Sequence, residues 1–373
     1  MVLPGLDIMA RRHPTVPRAP VGLAGRLRWL VGAPVRKVTR IPRSIRNTWL
    51  YFPRLVKPWS IDLDAVVTPA DIWIARSTAA LPAVLRQARR LGGAVIYDAS
   101  EVFVQSRELA PGGRYRDVLA RVERGWAQRA DAILTNSEGY ADLLAEQLRV
   151  SRPTVIFNCS ELAAIVDEEP RPDLIRQRLG LPAATRIVLY QGGLMTERGI
   201  EQTMEAILEV PDAVLVLLGF GPLQDTLTAA AAVEPYRGHV HLIDAVLPAE
   251  LVRWTASADV MAICIQPTTP NHIHSTPNKL FEALAAGTPV VASDLPGMAS
   301  IVRDVDFGTL VDPTSPSAIA VALRRLLDEP AEARLARRRR GLDAARTLYH
   351  WEAQEARLLE LCQALLARGS AGP

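Results

Sequence analysis

STPNKLFEALAAGTPVVASD, residues 275–294, packs a loop, a helix and a strand into twenty residues. Thr276 is placed to cap a helix N-terminus, and Pro277 then falls at the first helical position, where its missing N–H costs nothing. Leu280, Phe281 and Leu284 share one helical face, and Ala285-Ala286-Gly287 closes the helix, with Gly287 able to take the left-handed conformation. Pro289 opens a short apolar strand, Val290 to Ala292. A loop, helix and strand in this order form one unit of a doubly wound α/β sheet, and such sheets carry their sites at the loop end.

Two side chains in the stretch have no evident role in folding. Lys279 stands in the first helical turn, where a cation opposes the helix dipole by about 0.3–1 kcal/mol. Unbonded N–H groups beside a lysine at a helix start make an anion site. Glu282, one turn on, can accept hydrogen bonds from sugar hydroxyls. An ordinary capped helix with a solvated lysine and glutamate has the same pattern, and helix physics alone does not separate the two readings.

Outward from this unit the chain alternates. Towards the N-terminus, strands are expected at 72–75, 94–98, 132–135 and 154–157, and helices at 79–91, 115–129 and 139–148. A Pro- and acid-rich passage beginning at Asp167 reads as a linker to about residue 186. Strands then recur at 187–190, 213–218, 240–243, 260–264 and 308–311, with helices between them. This spacing calls for parallel sheets with helices on both faces. It divides the chain into a basic arm (1–60), a first domain (61–166), the linker (167–186), a second domain (187–345) and a final helical segment (346–373).

Two more loops at strand ends fit an anionic ligand. Gln191-Gly192-Gly193 precedes Glu197-Arg198-Gly199, where paired glycines admit close backbone approach and the guanidinium can fork onto a diphosphate. Gly219-Phe220-Gly221-Pro222 is similar, but Gln224 breaks the dinucleotide fingerprint GxGxxG. Each loop alone is a commonplace turn; all three at strand ends of one sheet are specific.

The stretch from residue 275 resembles the C-terminal signature of GT-B glycosyltransferases of the family-4 type. That resemblance implies two Rossmann-like domains facing across a cleft, with transfer of a sugar from a nucleotide diphosphate to a hydroxyl and retention of configuration. Glu282 matches the second glutamate of the family's Glu-x7-Glu, which contacts the ribose. His274 stands where the first, the donor-sugar contact, would be. Ser275, Thr276, Pro277 and Asn278 complete the donor loop. Gly193 occupies the position of a diphosphate-clamping arginine and Arg198 that of the accompanying lysine, so Arg198 carries the clamp by itself, with Lys279 expected against the diphosphate from the helix start. Gly219 and Gly221 match the nucleotide-bordering GxGP. On the acceptor side, Asp98, Ser100 and Glu101 resemble the family's D-x-H-E with serine for histidine, and Asn136, Ser137 and Asn158 match its cleft-facing loops. Polar residues also favour strand-to-helix loops for purely local reasons. The family's opening strand and Gly-rich loop are not recognisable in residues 1–60, and the segment around Tyr349-His350-Trp351 resembles its last helix, which crosses back to the first domain.

Bulk composition is consistent with a soluble two-domain chain: 373 residues, 49% hydrophobic, 22% charged and a net charge of +3. The charge is uneven. Residues 1–60 hold 12 Lys/Arg against Asp7 alone, so the rest is mildly acidic. Arg mixed with Trp and Leu in the arm suits an anionic membrane surface, with a solvated arm or a nucleic-acid contact as alternatives. No binding fold follows it, so no nucleic-acid partner is expected. Cys159, Cys264 and Cys362 match no disulfide or metal pattern, which favours a reducing cytoplasm, with a peripheral place at the membrane's inner face as the further expectation. Asp62/Asp64, Asp304/Asp306 and His272/His274 are acid or histidine pairs without a third ligand, so no metal is expected. The expected co-substrate is a UDP- or GDP-linked sugar and the expected acceptor a glycan or lipid-linked hydroxyl of an envelope or extracellular polysaccharide. The alternatives are a catalytically silent nucleotide-binding protein and a nucleotide-sugar epimerase on the same fold.

Overall fold

The structure, a computed structural model, describes residues 56–57, 62–63, 65–66, 68–105 and 114–370. The basic arm therefore lies outside the described residues, apart from its residues 56 and 57. The first sheet contains β1 (Ile72–Ala75), β2 (Ala94–Asp98), β3 (Ala132–Thr135) and β4 (Thr154–Val155), all parallel and in sequential order. They are joined by α1 (Leu81–Leu91), α2 (Arg114–Ala127) and α3 (Glu138–Leu148). Right-handed crossovers between sequential parallel strands put all three helices on one face. There Val95, Tyr97 and Ile133 pack with Leu81, Leu119 and Leu144. The alternate residues Ile96 and Leu134 point the other way and need a different cover.

That cover comes from the far end of the chain. After α4 (Leu174–Leu179) in the linker, the second sheet is built from β5 (Arg186–Gly193), β6 (Ala213–Phe220), β7 (Val240–Ile243), β8 (Val260–Ile263), β9 (Val290–Ser293) and β10 (Gly308–Val311). All its pairs are parallel, in the order β10-β9-β8-β5-β6-β7. Its helices are α5 (Ile200–Ile207), α6 (Gln224–Ala231), α7 (Leu251–Ala256), α8 (Pro270–His274), α9 (Asn278–Ala286), α10 (Pro296–Val305), α11 (Pro316–Leu327) and α12 (Ala331–Thr347). The last helix, α13 (Trp351–Ser370), then returns to the first domain, where Leu365 and Leu358 cover Ile96 and Leu134.

Both faces of the second sheet are buried, as its nearly continuous apolar strands require. Val188, Leu215 and Leu217 point to one side, and Ile187, Leu189 and Val216 to the other. The two crossings between domains meet in an aromatic cluster. Phe157 beyond β4, Phe281 on α9 and Tyr349 before α13 have ring centroids 5.3–6.0 Å apart. Gln354 on α13 accepts the Phe157 N–H at 3.1 Å, and Ser160 accepts that of Trp351 at 2.8 Å. The linker is anchored by ions: Arg338 on α12, 7% exposed, reaches Glu169 at 2.6 Å.

Candidate active site

The chain leaves β5 towards β6 on one side and comes back as β8 on the other, so β5 and β8 form the topological switch point of the second sheet. Ligands of open α/β sheets bind outside the carboxyl ends at such a point. Gly192 and Gly193 end β5, in register with Gly219 and Phe220 of β6. Gly219 has φ 154°, and a Cβ there would collide with the Gly192 carbonyl oxygen. Only glycine lets the two strand ends approach this closely.

Helix α9 delivers its N-terminus to the same place. Leu280, Phe281, Ala283 and Leu284 bury one face of it, and Gly287 ends it at φ 59° with its N–H on Ala283 and Leu284. The start differs from the sequence expectation. Pro277, not Thr276, is the capping residue, and no side chain caps the helix. The Thr276 hydroxyl is instead committed to the Gly297 carbonyl at 2.8 Å and contacts Ser137 Oγ at 3.3 Å. The first-turn amides of Asn278 and Lys279 therefore have no capping acceptor, and the positive end of the helix dipole is uncompensated.

Lys279 is not the solvated lysine of the bland reading. Its Nζ lies 4.0 Å from the Tyr190 ring centroid and beside Gly192. Burial pushes its pKa down to about 7, and the nearby Arg198 guanidinium pushes the same way, against Glu282. Arg198, half-buried, forms no salt bridge among the described residues. Burial raises the Glu282 carboxyl above the usual range, while a hydrogen bond from Gln191 and the charge of Lys279 oppose the rise. Gln191 is in turn fixed by the Thr255 hydroxyl at 2.6 Å. Lys279, at the uncapped helix start, thus feels both the Arg198 charge and one oriented carboxylate. The net field favours an anion with hydroxyl groups beside it.

Of the remaining expected residues, His274 and Ser275 end α8 just before this turn, both half-buried, and Asn278 is exposed. The two histidines His272 and His274 lie on the short helix α8. On the other domain, Asp98 ends β2, 3.7 Å from Arg76, with its pKa raised by burial. Ser100 and Asn158 are exposed and Asn136 is half-buried. Ser137 departs from expectation: it is wholly buried and donates to the His274 carbonyl at 2.5 Å, so it joins the domains and has no surface to offer an acceptor. Glu101 likewise accepts from Asn271 of the second domain at 3.3 Å. Asp306 is held by Arg340 at 3.1 Å and Arg337 at 3.6 Å, a structural use of that acid pair. Sequence reasoning missed Tyr190, Gln191 and Thr255 as supports of the charged pair. The one available signal was Gln191, a polar residue inside an apolar strand. A cavity of about 620 Å³ lies at the amino ends of β1 to β3 beside Leu365 and Arg368, the wrong end of the sheet for such a site.

Two parallel-sheet α/β domains, with the second sheet's switch point between β5 and β8, have the GT-B fold. The profile of glycosyl transferases group 1 matches residues 185–329, from β5 to the end of α11. The D-inositol 3-phosphate glycosyltransferase of Xylanimonas cellulosilytica is 32% identical over 194 residues, covering 50% of this chain and 44% of that protein. The chain thus spans about half the length of the curated relatives it matches. Among solved structures, a sucrose-phosphate synthase from Thermosynechococcus elongatus superposes with a TM-score of 0.70 at 22% identity, over 88% of this chain and 81% of that one. Anabaena Alr3699/HepE in complex with UDP gives 0.69 at 17% identity, over 84% and 82%. At such identities the superpositions speak for the fold.

Proposed function

We propose that the chain is a glycosyltransferase that moves a sugar from a UDP- or GDP-linked donor to a hydroxyl of a glycan or lipid-linked acceptor. The observation that carries this reading is the meeting of Lys279, Arg198 and the uncapped start of α9 beside a carboxylate held by Gln191. The diphosphate docks against the two cations and the amides of Asn278 and Lys279, and Glu282 accepts from the ribose hydroxyls. As the bond from the sugar to the diphosphate breaks, negative charge grows on the leaving oxygen, and the cations and amides would offset it. Retention of configuration follows from the group 1 resemblance. The destination is an envelope or extracellular polysaccharide or glycolipid, assembled at the inner face of the membrane with residues 1–60 against anionic headgroups. No helix among the described residues is long and apolar enough to cross a bilayer.

Calorimetry with UDP and GDP, then nucleotide release from candidate sugar donors, tests the reading. Micromolar binding of one nucleotide, with release that depends on an acceptor, is the expected result. Binding without release would leave a silent nucleotide-binding protein, and donor conversion without an acceptor would leave an epimerase. The anomeric form of the product, read by NMR, decides retention. Liposome co-sedimentation with and without residues 1–60 tests the membrane contact, and equal binding by both forms would remove it.

A further inference from the structure

The segment between β8 and α9 runs straight into Lys279, and the first domain grips it at several points. Asn271, 8% exposed, carries most of the grip. Its Oδ1 accepts the Val102 N–H at 3.1 Å, and its Nδ2 donates to the Val102 carbonyl and to Glu101 at 3.3 Å each. Its own carbonyl accepts the Tyr140 hydroxyl at 2.7 Å. One amide side chain thus reads a backbone N–H and C=O of the opposite domain, a pairing that neither aspartate nor leucine reproduces. Three residues on, Ser137 donates to the His274 carbonyl, and the His274 ring lies against Gly139 on α3. A Cβ on Gly139 would stand 2.7 Å from His274 Nδ1 and 2.9 Å from its Cβ. From the other side, a Cβ on Gly297 of α10 would collide with the backbone of His274 and Ser275. The donor loop is clamped between a glycine of each domain.

We propose that residues 269–276 form an interdomain latch, with Asn271 and Gly139 as positioning residues that set the shape of the donor loop from the first domain. The inference rests on the donor-site reading above and adds a coupling to it. Closing the domains and ordering the approach to Lys279 become one event. By linkage, nucleotide at the second domain then tightens the interdomain contact, and loss of that contact weakens nucleotide binding by the same factor. A latch variant in which the closed arrangement falls to about one-tenth of the molecules would bind about tenfold more weakly, with the second-domain site chemically intact.

Gly139→Ala is the sharpest test because it lies in the first domain, and alanine in a helix is a better former than glycine, so α3 is not weakened. In the full chain, Gly139→Ala and Asn271→Ala are expected to weaken UDP binding at least about tenfold by calorimetry and to raise the donor KM more than they lower kcat. Both are expected to enlarge the radius of gyration seen by X-ray scattering without nucleotide. If both variants stay as compact as the wild type, or both bind UDP as tightly, the latch is overturned. Failure of the wild type to bind UDP or GDP removes the donor reading instead, and the scattering comparison then decides the latch by itself.

Discussion

Replacing Lys279 by methionine is expected to make the protein more stable while removing most of its affinity for nucleotide. Desolvation holds the lysine near pKa 7 instead of 10.5, with the Arg198 charge adding to the shift. At about 1.36 kcal/mol per pH unit, that environment costs the folded state several kcal/mol at neutral pH. The ammonium recovers about 0.5–2 kcal/mol from the Tyr190 face, and its loss leaves Glu282 without a counter-charge. A net gain of about 1–2 kcal/mol remains, equivalent to a Tm rise of roughly 2–8 °C for a domain of this size. The sign with pH is fixed. Between pH 7 and 10.5 the unfolded chain binds the proton that the folded one has lost, so wild-type stability attributable to this group rises with pH. The advantage of the methionine variant is therefore largest below pH 7 and fades towards pH 10.5. Against nucleotide the loss is one charge-assisted contact, about 1.5–3 kcal/mol or roughly 10- to 150-fold in affinity. Thermal melts with and without UDP, at pH 6.5 and 9, measure both effects. A variant that melts lower than the wild type and still gains the full UDP shift would show that Lys279 is a structural residue and refute the anion site.

Glu282→Ala should cost most of the donor affinity, while its effect on stability is the difference between relief of a buried carboxylate and loss of the counter-charge to Lys279; calorimetry with an unchanged Kd would end the ribose assignment. Nucleotide affinity should be fully present below about pH 7 and fall by up to about tenfold per unit above it, since the bound diphosphate must recharge Lys279. Calorimetry at pH 8 in buffers of different ionisation enthalpy should then report uptake of close to one proton, and none would exclude the coupling. In the first domain, Glu123 on α2 accepts from Tyr97 at 2.9 Å, Thr78 at 3.2 Å and Gln147 at 3.4 Å, and burial raises it to about 7. The folded state binds the extra proton between pH 4.5 and 7, so this group's contribution falls as pH rises through that window and its cost is complete above it. Glu123→Gln should stabilise by about 1–3 kcal/mol at pH 8 and flatten the profile, as read by denaturant midpoints across pH; a loss of stability at pH 8 would contradict the burial cost.

The alternation of apolar strands and amphipathic helices was legible because periods of 2 and 3.6 are written into local sequence, and so were the glycines that end β5 and β6. The start of α9 was misread for a reason that local rules cannot hold. Thr276 has the chemistry of a cap, but Gly297, 21 residues away, and Ser137 of the other domain compete for its hydroxyl. Ser137 itself looked like a cleft residue because a serine after a strand usually faces solvent, and its burial depends on how the domains meet.

Sequence by itself determined that this chain builds two parallel sheets and places glycines, a lysine and a glutamate at the strand ends of the second, because each of those choices is made by neighbours a few residues apart. Tertiary structure decided that Lys279 is desolvated over Tyr190, that Gln191 aims Glu282, and that Asn271 and Gly139 hold the donor loop from the first domain. Those outcomes rest on groups brought together from distant positions, where burial and the competition for hydrogen bonds are set by packing and not by local propensity.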